Sequence, residues 1–304
     1  MAARWPNLFV VGAAKCGTTT LGRYLAQHPE VGFSDVKEPN FFALAGLNLH
    51  AMPGPADPEI LWRELYQWSV TNESEYLRLF ASYADRPIWA EASVRYLACA
   101  DTAGQIRSRA PDARIIILLR HPAKRAWSHY AMMRCLYRLE PLEFDAALAA
   151  ENARRAAGWD FDWHYLAVSR YAEQVARYLD CFDRSQVQIV FLEDLVRQPQ
   201  VVLEQLLRFI GVADVRPLPL PPAEKTGVWH RSQFVARLLD RPGRPGPVGG
   251  MLTRCGAGKL VAWLRRLNAT RLPPIPAAAA HRIGDLATRE KVALKAVAGV
   301  DAPW

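Results

Sequence analysis

Residues 9–31 read FVVGAAKCGTTTLGRYLAQHPEV. Phe9, Val10 and Val11 form a short apolar, β-branched run ending at Gly12, the pattern of a buried strand. Leu21, Tyr24 and Leu25 then recur at helical spacing, and His28-Pro29 closes the helix. Strand, glycine-rich turn and helix in that order build an anion site. The N–H groups of the turn and of the helix N-terminus converge on one point. The spelling departs in one respect from the usual phosphate loop, G-x-x-x-x-G-K-[ST]. Gly12 and Gly17 hold the glycine positions and Thr18, Thr19 and Thr20 follow, but the lysine stands inside the loop at Lys15. In nucleotide triphosphatases the late lysine reaches the outer phosphates, while a hydroxyl and an acidic strand end hold magnesium. A lysine three residues after the first glycine leaves a different part of the loop, beside the bridging oxygen of a shorter phosphate chain. The loop therefore predicts a nucleotide with a 5′-phosphate and a reactive group one bond further on.

The same alternation continues along the chain. ARIIILLRHP, residues 113–122, is the clearest buried strand, ending at Arg120, and Pro122 suits the first turn of the helix AKRAWSHYAMMR. QVQIVFLEDL reads as a strand ending at the acidic pair Glu193-Asp194, and PQVVLEQLLRFIGV as a helix that Gly211 stops. RPIWAEASVRYL supplies another strand, ending near Ala92-Ser93. Strands alternating with helices predict an α/β, P-loop-type three-layer fold with a mostly parallel central sheet flanked by helices. Ligands of such sheets bind beyond the strand carboxyl ends. Gly12 to Thr20, Ser93, and Arg120 to Ser128 should converge there. The expected organisation is a single domain over 1–304 with its core over about 7–235. An excursion over about 43–75, rich in Pro, Gly and aromatics, reads as an acceptor lid. A basic connector and C-terminal helices occupy about 241–304.

Composition narrows the partners. The 304 residues are half apolar and carry a net charge of +8, which favours an anionic ligand. No apolar run reaches the length of a membrane span, and MAARWPNLFVVG enters a strand without a secretory leader. The expectation is a soluble, cytoplasmic protein, and the Ala, Arg and Pro richness points to a bacterial source. Cys16, Cys99, Cys135, Cys181 and Cys255 are odd in number and scattered, against a disulfide framework or a zinc site, and no metal is expected. From 241 to 276 there are seven basic residues and no acidic one. GKLVAWLRRLNATRL within it is basic and amphipathic. It reads as a solvated peripheral helix, or as a peripheral membrane contact through about 251–272, or as a guide for a polyanionic acceptor. The cations are otherwise spread along the chain without an RNA or DNA motif, which disfavours a nucleic-acid partner.

Arg120 leaves a buried strand and Ser128 lies eight residues on, after about two helical turns. An arginine fork and a hydroxyl can grip one further phosphate. At these residues the sequence resembles a known family. GAAKCGTTTL, KEPNFF and LLRHPAKRAWSHY together are similar to the sulfotransferases that use 3′-phosphoadenosine 5′-phosphosulfate. KCGTTT and HPEV…KEPNFF are closest to the heparan-sulfate-sulfotransferase branch and its bacterial relatives. The likeness extends through AEASVRYL, RYAEQVARYLDCF and QIVFLEDLVRQP, and spans roughly residues 7 to 235.

The resemblance implies roles position by position. The loop of Lys15, Cys16, Gly17, Thr18, Thr19 and Thr20 would hold the donor's 5′-phosphosulfate, with Lys15 catalytic. Cys16 by itself reads as a small filler. Arg120 and Ser128 would hold the 3′-phosphate that separates this donor from ATP. Glu38 would be the general base, with His164 or His129 the substitutes if it is not. Lys225 and Gly227, in EKTGVWHRS, would form a late donor-binding loop. Lys37, Phe41, Phe42, Ser93 and His164 are the acceptor-side candidates. The released product would be adenosine 3′,5′-bisphosphate. The late R-K-G-x-x-G motif of the small-molecule branch is absent, which argues against a steroid- or phenol-sulfating enzyme. Two other classes compete. A P-loop kinase or nucleotide triphosphatase requires the lysine beside the threonine. A basic nucleic-acid-binding protein requires only the charge. Oligomeric state is not legible.

Overall fold

The computed structural model describes residues 4–216, 218, 219, 221, 228–241 and 244–304. At its centre, β1 (Leu8–Gly12), β2 (Val31–Phe33), β3 (Ile88–Ala92), β4 (Arg114–Leu119) and β5 (Val187–Phe191) form one sheet in the order β2-β3-β1-β4-β5. Every neighbouring pair is parallel. β1 and β3 are buried at every position, and β4 at all but its first. This is why they read as continuous apolar runs instead of alternating ones: a parallel sheet is covered on both faces.

The helices Thr18–Leu25, Thr102–Arg109, Pro122–Ala131, Tyr171–Cys181, Pro199–Ile210 and Leu286–Ala298 flank the sheet. Pro122 stands in the first turn of its helix, and Gly211 caps Pro199–Ile210 with φ 75°. Two boundaries differ from expectation. β5 stops at Phe191, and Glu193 and Asp194 begin the helix Leu192–Arg197. Carboxylates are favoured at a helix N-terminus by its dipole, but the apolar run before them reads as strand. The core also does not end near 235: Leu294 and Ala302 join the main apolar cluster. Glu290 accepts a hydrogen bond from the Ala172 N–H at 2.9 Å, and Trp304 packs edge-on against Phe191 at 5.1 Å.

A second apolar cluster unites Leu44, Leu49, Leu61 and Tyr66 with Trp127, Tyr130, Phe144, Trp163 and Tyr165. It takes in Tyr66, Trp163 and Tyr165, with Trp62 and Trp159 packed against it. The excursion over 43–75 is seated on this cluster through Leu61 and Tyr66, both buried. Further on, Val228–His230 pairs antiparallel with Ala269–Arg271, and the Trp229 ring lies 5.2 Å from Trp127. The helices Gln233–Leu239, Pro247–Arg254 and Gly258–Asn268 pack on one another beside this ladder.

Candidate functional site

β1 and β4 are adjacent, so the loops at their carboxyl ends meet. The Ala13 N–H donates to the Leu118 carbonyl at 2.7 Å. Gly12 has φ 150°, and a Cβ there would stand 2.7 Å from the Leu97 Cβ, so a side chain does not fit. Gly17 sits at the N-cap of Thr18–Leu25 with φ 94°, and no side chain caps that helix. The first-turn N–H groups are thus left for an anion. Thr18 is buried, while Thr19 and Thr20 are half-buried beside the loop. The Arg120 guanidinium donates to the Lys15 carbonyl at 3.3 Å, and the Lys15 Nζ lies 3.5 Å from the Met132 Sδ. Ser128 is buried on Pro122–Ala131, the helix that follows Arg120. Cys16 corrects the expectation placed on it. Its thiol is fully buried and pushed up to about 12 by that burial, and its N–H is spent on the Ala13 carbonyl at 3.2 Å. Its N–H and thiol both turn inward, the thiol toward the Ala14 carbonyl at 3.7 Å, so it shapes the loop from within.

The Glu38 segment forms a neighbouring rim. Glu38 and Asn40 both adopt left-handed backbone, φ 58° and 56°. Glu38 is half-buried, with the Lys37 Nζ 3.4 Å from its Oε1 and Lys37 itself exposed. Two hydroxyls hold this segment from below. The Asn40 N–H donates to the Ser93 Oγ at 3.1 Å and the Phe42 N–H to the Tyr96 hydroxyl at 3.3 Å. Ser93 and Tyr96 in turn donate to the Glu91 carboxyl at 2.6 and 2.9 Å, and Tyr76 does so at 2.5 Å. Burial pushes Glu91 up to about 7, against the pull of the three hydroxyls, and the Glu38 charge adds to the rise. Ser93, expected on the acceptor side, is therefore a buried support. Phe41 and Phe42 are corrected likewise: both lie in the main core, Phe41 stacked on Tyr76 at 4.6 Å and Phe42 edge-on to Tyr96 at 5.7 Å. Two successive large apolar residues after a sharp turn are better accommodated by the core than by solvent.

Arg95 organises the opposite wall. It pairs with Asp160, and with Asp162 at 3.1 Å, and lies 4.2 Å over the Phe161 ring. The Tyr66 hydroxyl donates to Asp160 at 2.8 Å. Burial raises Asp162 to about 7, with Arg95 opposing and Asp160 and Glu38 adding. Burial also raises Tyr137 to about 12, with Asp162 and Glu38 contributing. His164 is half-buried and lowered to about 4 by desolvation, with Asp160 opposing. His129 is wholly buried and held well below its ordinary range by burial, and Arg125, Lys15, His164 and Arg95 add to this. Its Nδ1 accepts from Arg125 at 3.0 Å. Both imidazoles are neutral at pH 7, and neither has the basicity of an ordinary histidine. Lys15 acts on His129, Glu38 acts on Asp162, and Arg95 acts on both.

Among the described residues four non-glycines have positive φ: Lys15, Glu38, Asn40 and Arg138. Lys15 and Glu38 are the two expected catalytic residues. Such backbone is uncommon for side chains with a Cβ and collects at functional sites. Lys225 and Gly227 lie outside the described residues. Sequence reasoning passed over Glu91, Arg95, Asp160 and Asp162. The available signal for Glu91 is a carboxylate within IWAEA, a strand otherwise apolar throughout.

Residues 6–216 match the profile of the sulfotransferase family. A sulfotransferase of known structure from Alicyclobacillus acidocaldarius is 33% identical, with a TM-score of 0.64 over 86% of this chain and 100% of that one. Among curated proteins, human heparan sulfate glucosamine 3-O-sulfotransferase 6 is 26% identical over 212 residues, 70% of this chain and 54% of that protein. The bifunctional heparan sulfate N-deacetylase/N-sulfotransferase 1 of Caenorhabditis briggsae is 20% identical over 224 residues, 69% of this chain and 23% of that protein. The chain thus spans about half the length of the first of these curated relatives and about a quarter of the second.

Proposed function

The chain belongs to the sulfotransferase family, and from that premise we propose that it moves a sulfuryl group from 3′-phosphoadenosine 5′-phosphosulfate to an acceptor hydroxyl, or less readily an amine. The acceptor class is a carbohydrate, a glycolipid or a natural product. The observation that carries the reading is the contact between the Arg120 guanidinium and the Lys15 carbonyl at 3.3 Å. A guanidinium fork able to grip one phosphate, beside a lysine-bearing loop able to cradle another, would suit a nucleotide with two separate phosphates, and this supports the reading.

The donor supplies an activated sulfuryl group when bound. Lys15, the uncapped helix start and the threonines Thr18, Thr19 and Thr20 hold its 5′-phosphate end; Arg120 and Ser128 hold its 3′-phosphate. Glu38 takes the acceptor proton while the acceptor oxygen bonds to sulfur and the bridging S–O bond breaks. Lys15 stabilises the charge that gathers on the bridging oxygen of the departing adenosine 3′,5′-bisphosphate, a preorganised interaction worth roughly 3–4 kcal/mol. A carboxylate is a weak base for an alcohol, so the proton moves late, after the bond to the leaving oxygen has loosened. Glu91, through Ser93 and Tyr96, fixes the backbone that carries Glu38.

Competition binding tests the donor. Adenosine 3′,5′-bisphosphate should bind, and ATP with magnesium at equal concentration should fail to displace it; displacement would reinstate the kinase reading. Arg120→Ala should weaken the bisphosphate by about ten- to a hundred-fold and adenosine 5′-monophosphate by less, because the monophosphate loses only the support of the Lys15 loop and has no 3′-phosphate to grip. Incubation with labelled donor and candidate acceptors, read by mass spectrometry, should yield a product heavier by one sulfuryl group.

A further inference from the structure

Among the described residues no helix is long and apolar enough to cross a membrane, yet one presents an apolar stripe to solvent. In Gly258–Asn268, Val261 and Asn268 are buried and Leu264 is partly covered. Leu260, Trp263 and Leu267, spaced three and four residues apart, form a second stripe that is 45%, 55% and 50% exposed. At 3.6 residues per turn this stripe adjoins the buried face, with Lys259 and Arg266 beyond it and Arg265 on the other flank. All three cations are exposed. The two helices packed against this one carry Phe234 and Met251, exposed by 71% and 60%. From 228 to 284 the chain has ten arginines and lysines and a single carboxylate, Asp240.

Single exposed apolar side chains are ordinary; a contiguous set rimmed by charge marks a docking face. A free polyanion would match the cations but leave Leu260, Trp263 and Leu267 in water. A second copy of the chain would cover the apolar stripe but bring two strongly basic surfaces together. An anionic bilayer satisfies both features. Its headgroups meet the cations, its acyl boundary takes the leucines, and tryptophan favours the level between them. We propose that the Gly258–Asn268 face docks on an anionic lipid surface, with Leu260, Trp263 and Leu267 at the acyl boundary and Lys259 and Arg266 among the phosphates. This inference stands apart from sulfuryl transfer and is read by lipid binding alone.

Flotation of the full chain with vesicles of phosphatidylglycerol and phosphatidylcholine, or of phosphatidylcholine alone, tests it. Binding should favour the anionic vesicles by about ten-fold or more and weaken with added salt. The double substitution Lys259→Gln with Arg266→Gln should weaken it roughly 25-fold, about five-fold per cation. Leu260→Ser with Trp263→Ser should weaken it by at least about ten-fold. Because these side chains face solvent, the melting temperature and the affinity for adenosine 3′,5′-bisphosphate should not move. Absent vesicle binding, equal binding to neutral vesicles, or undiminished binding by the apolar double variant each overturns the proposal. The last of these would leave attraction by charge alone, with no apolar docking face. Self-association in light scattering that the apolar substitutions abolish, without vesicle binding, would assign it to a second copy.

Discussion

The loop after β1 and the wall around residues 126–166 are built from opposite ends of the residue scale. The loop works through backbone. Gly12 and Gly17 have positive φ, Lys15 is left-handed at 69°, and the helix start beyond is uncapped. The wall works through bulk: Trp127, Tyr130, Phe144, Trp163 and Tyr165 interlock, with Trp127 stacked on Tyr130 at 5.4 Å. A backbone cradle is local, so about a dozen consecutive residues specify it. The wall draws partners from 44–66, 126–165 and 279–286, and none of these segments specifies it alone. Damage to the loop should therefore be chemical and damage to the wall mechanical.

The largest effect expected is mechanical. Trp163 is fully buried, and Trp163→Ala should cost about 3–5 kcal/mol in urea unfolding. A loss under about 1 kcal/mol would mean that the wall is not a core, and the contrast would collapse. Next, Lys15→Asn, chosen because asparagine tolerates left-handed backbone, should lower turnover about 10²–10³-fold while the unfolding midpoint stays put. Glu38→Gln should behave similarly within about 10²–10⁴-fold. Near-normal turnover in Glu38→Gln would remove the base assignment. A midpoint shift comparable with that of Trp163→Ala would make either residue structural.

The smallest effect lies outside both regions, beneath the Glu38 segment. Burial holds Glu91 near 7 instead of its ordinary 4.5. Below 4.5 the carboxyl is protonated in both folded and unfolded chains. Between 4.5 and 7 the unfolded chain ionises first, so this group's contribution to stability falls as pH rises and levels off above 7. Glu91→Gln should remove that slope. Relative to the variant, the wild type should lose stability from pH 5 to pH 8, measured by urea titration at each pH. Turnover should fall by less than for Lys15→Asn, because Glu91 acts only through Ser93 and Tyr96 on the Glu38 segment. A wild-type advantage that grows with pH would contradict the buried, protonated carboxyl.

The regions differ equally in legibility. β1, β4 and the helix after Pro122 follow from apolar runs and punctuation, since a strand covered on both faces needs no partner to be recognised. Lys15, Arg120 and Glu38 follow from motif spelling. Ser93, Phe41 and Phe42 are misplaced by it because a motif shows which residues sit near a site, not which side of the backbone each faces. After Glu38 and Asn40 turn left-handed, Phe41 and Phe42 point into the core. Asp160 and Asp162 escape sequence reasoning because their partner Arg95 lies 65 and 67 residues away. The excursion over 43–75 reads as a lid, and Leu61 and Tyr66 seat it on a second core.

Sequence alone determined the strand–loop–helix units, the glycine positions of the β1 loop and the displaced lysine, because these rest on short-range backbone preferences and on residue types at fixed spacing. Only the tertiary structure decided that Arg120 lies against the Lys15 loop, that Glu91 supports the Glu38 segment, and that the last helix closes the main core. Each of these is a contact between segments far apart in the chain. Such pairs are selected by burial, by the need to satisfy every buried polar group and by complementary charge, and no single segment carries that information.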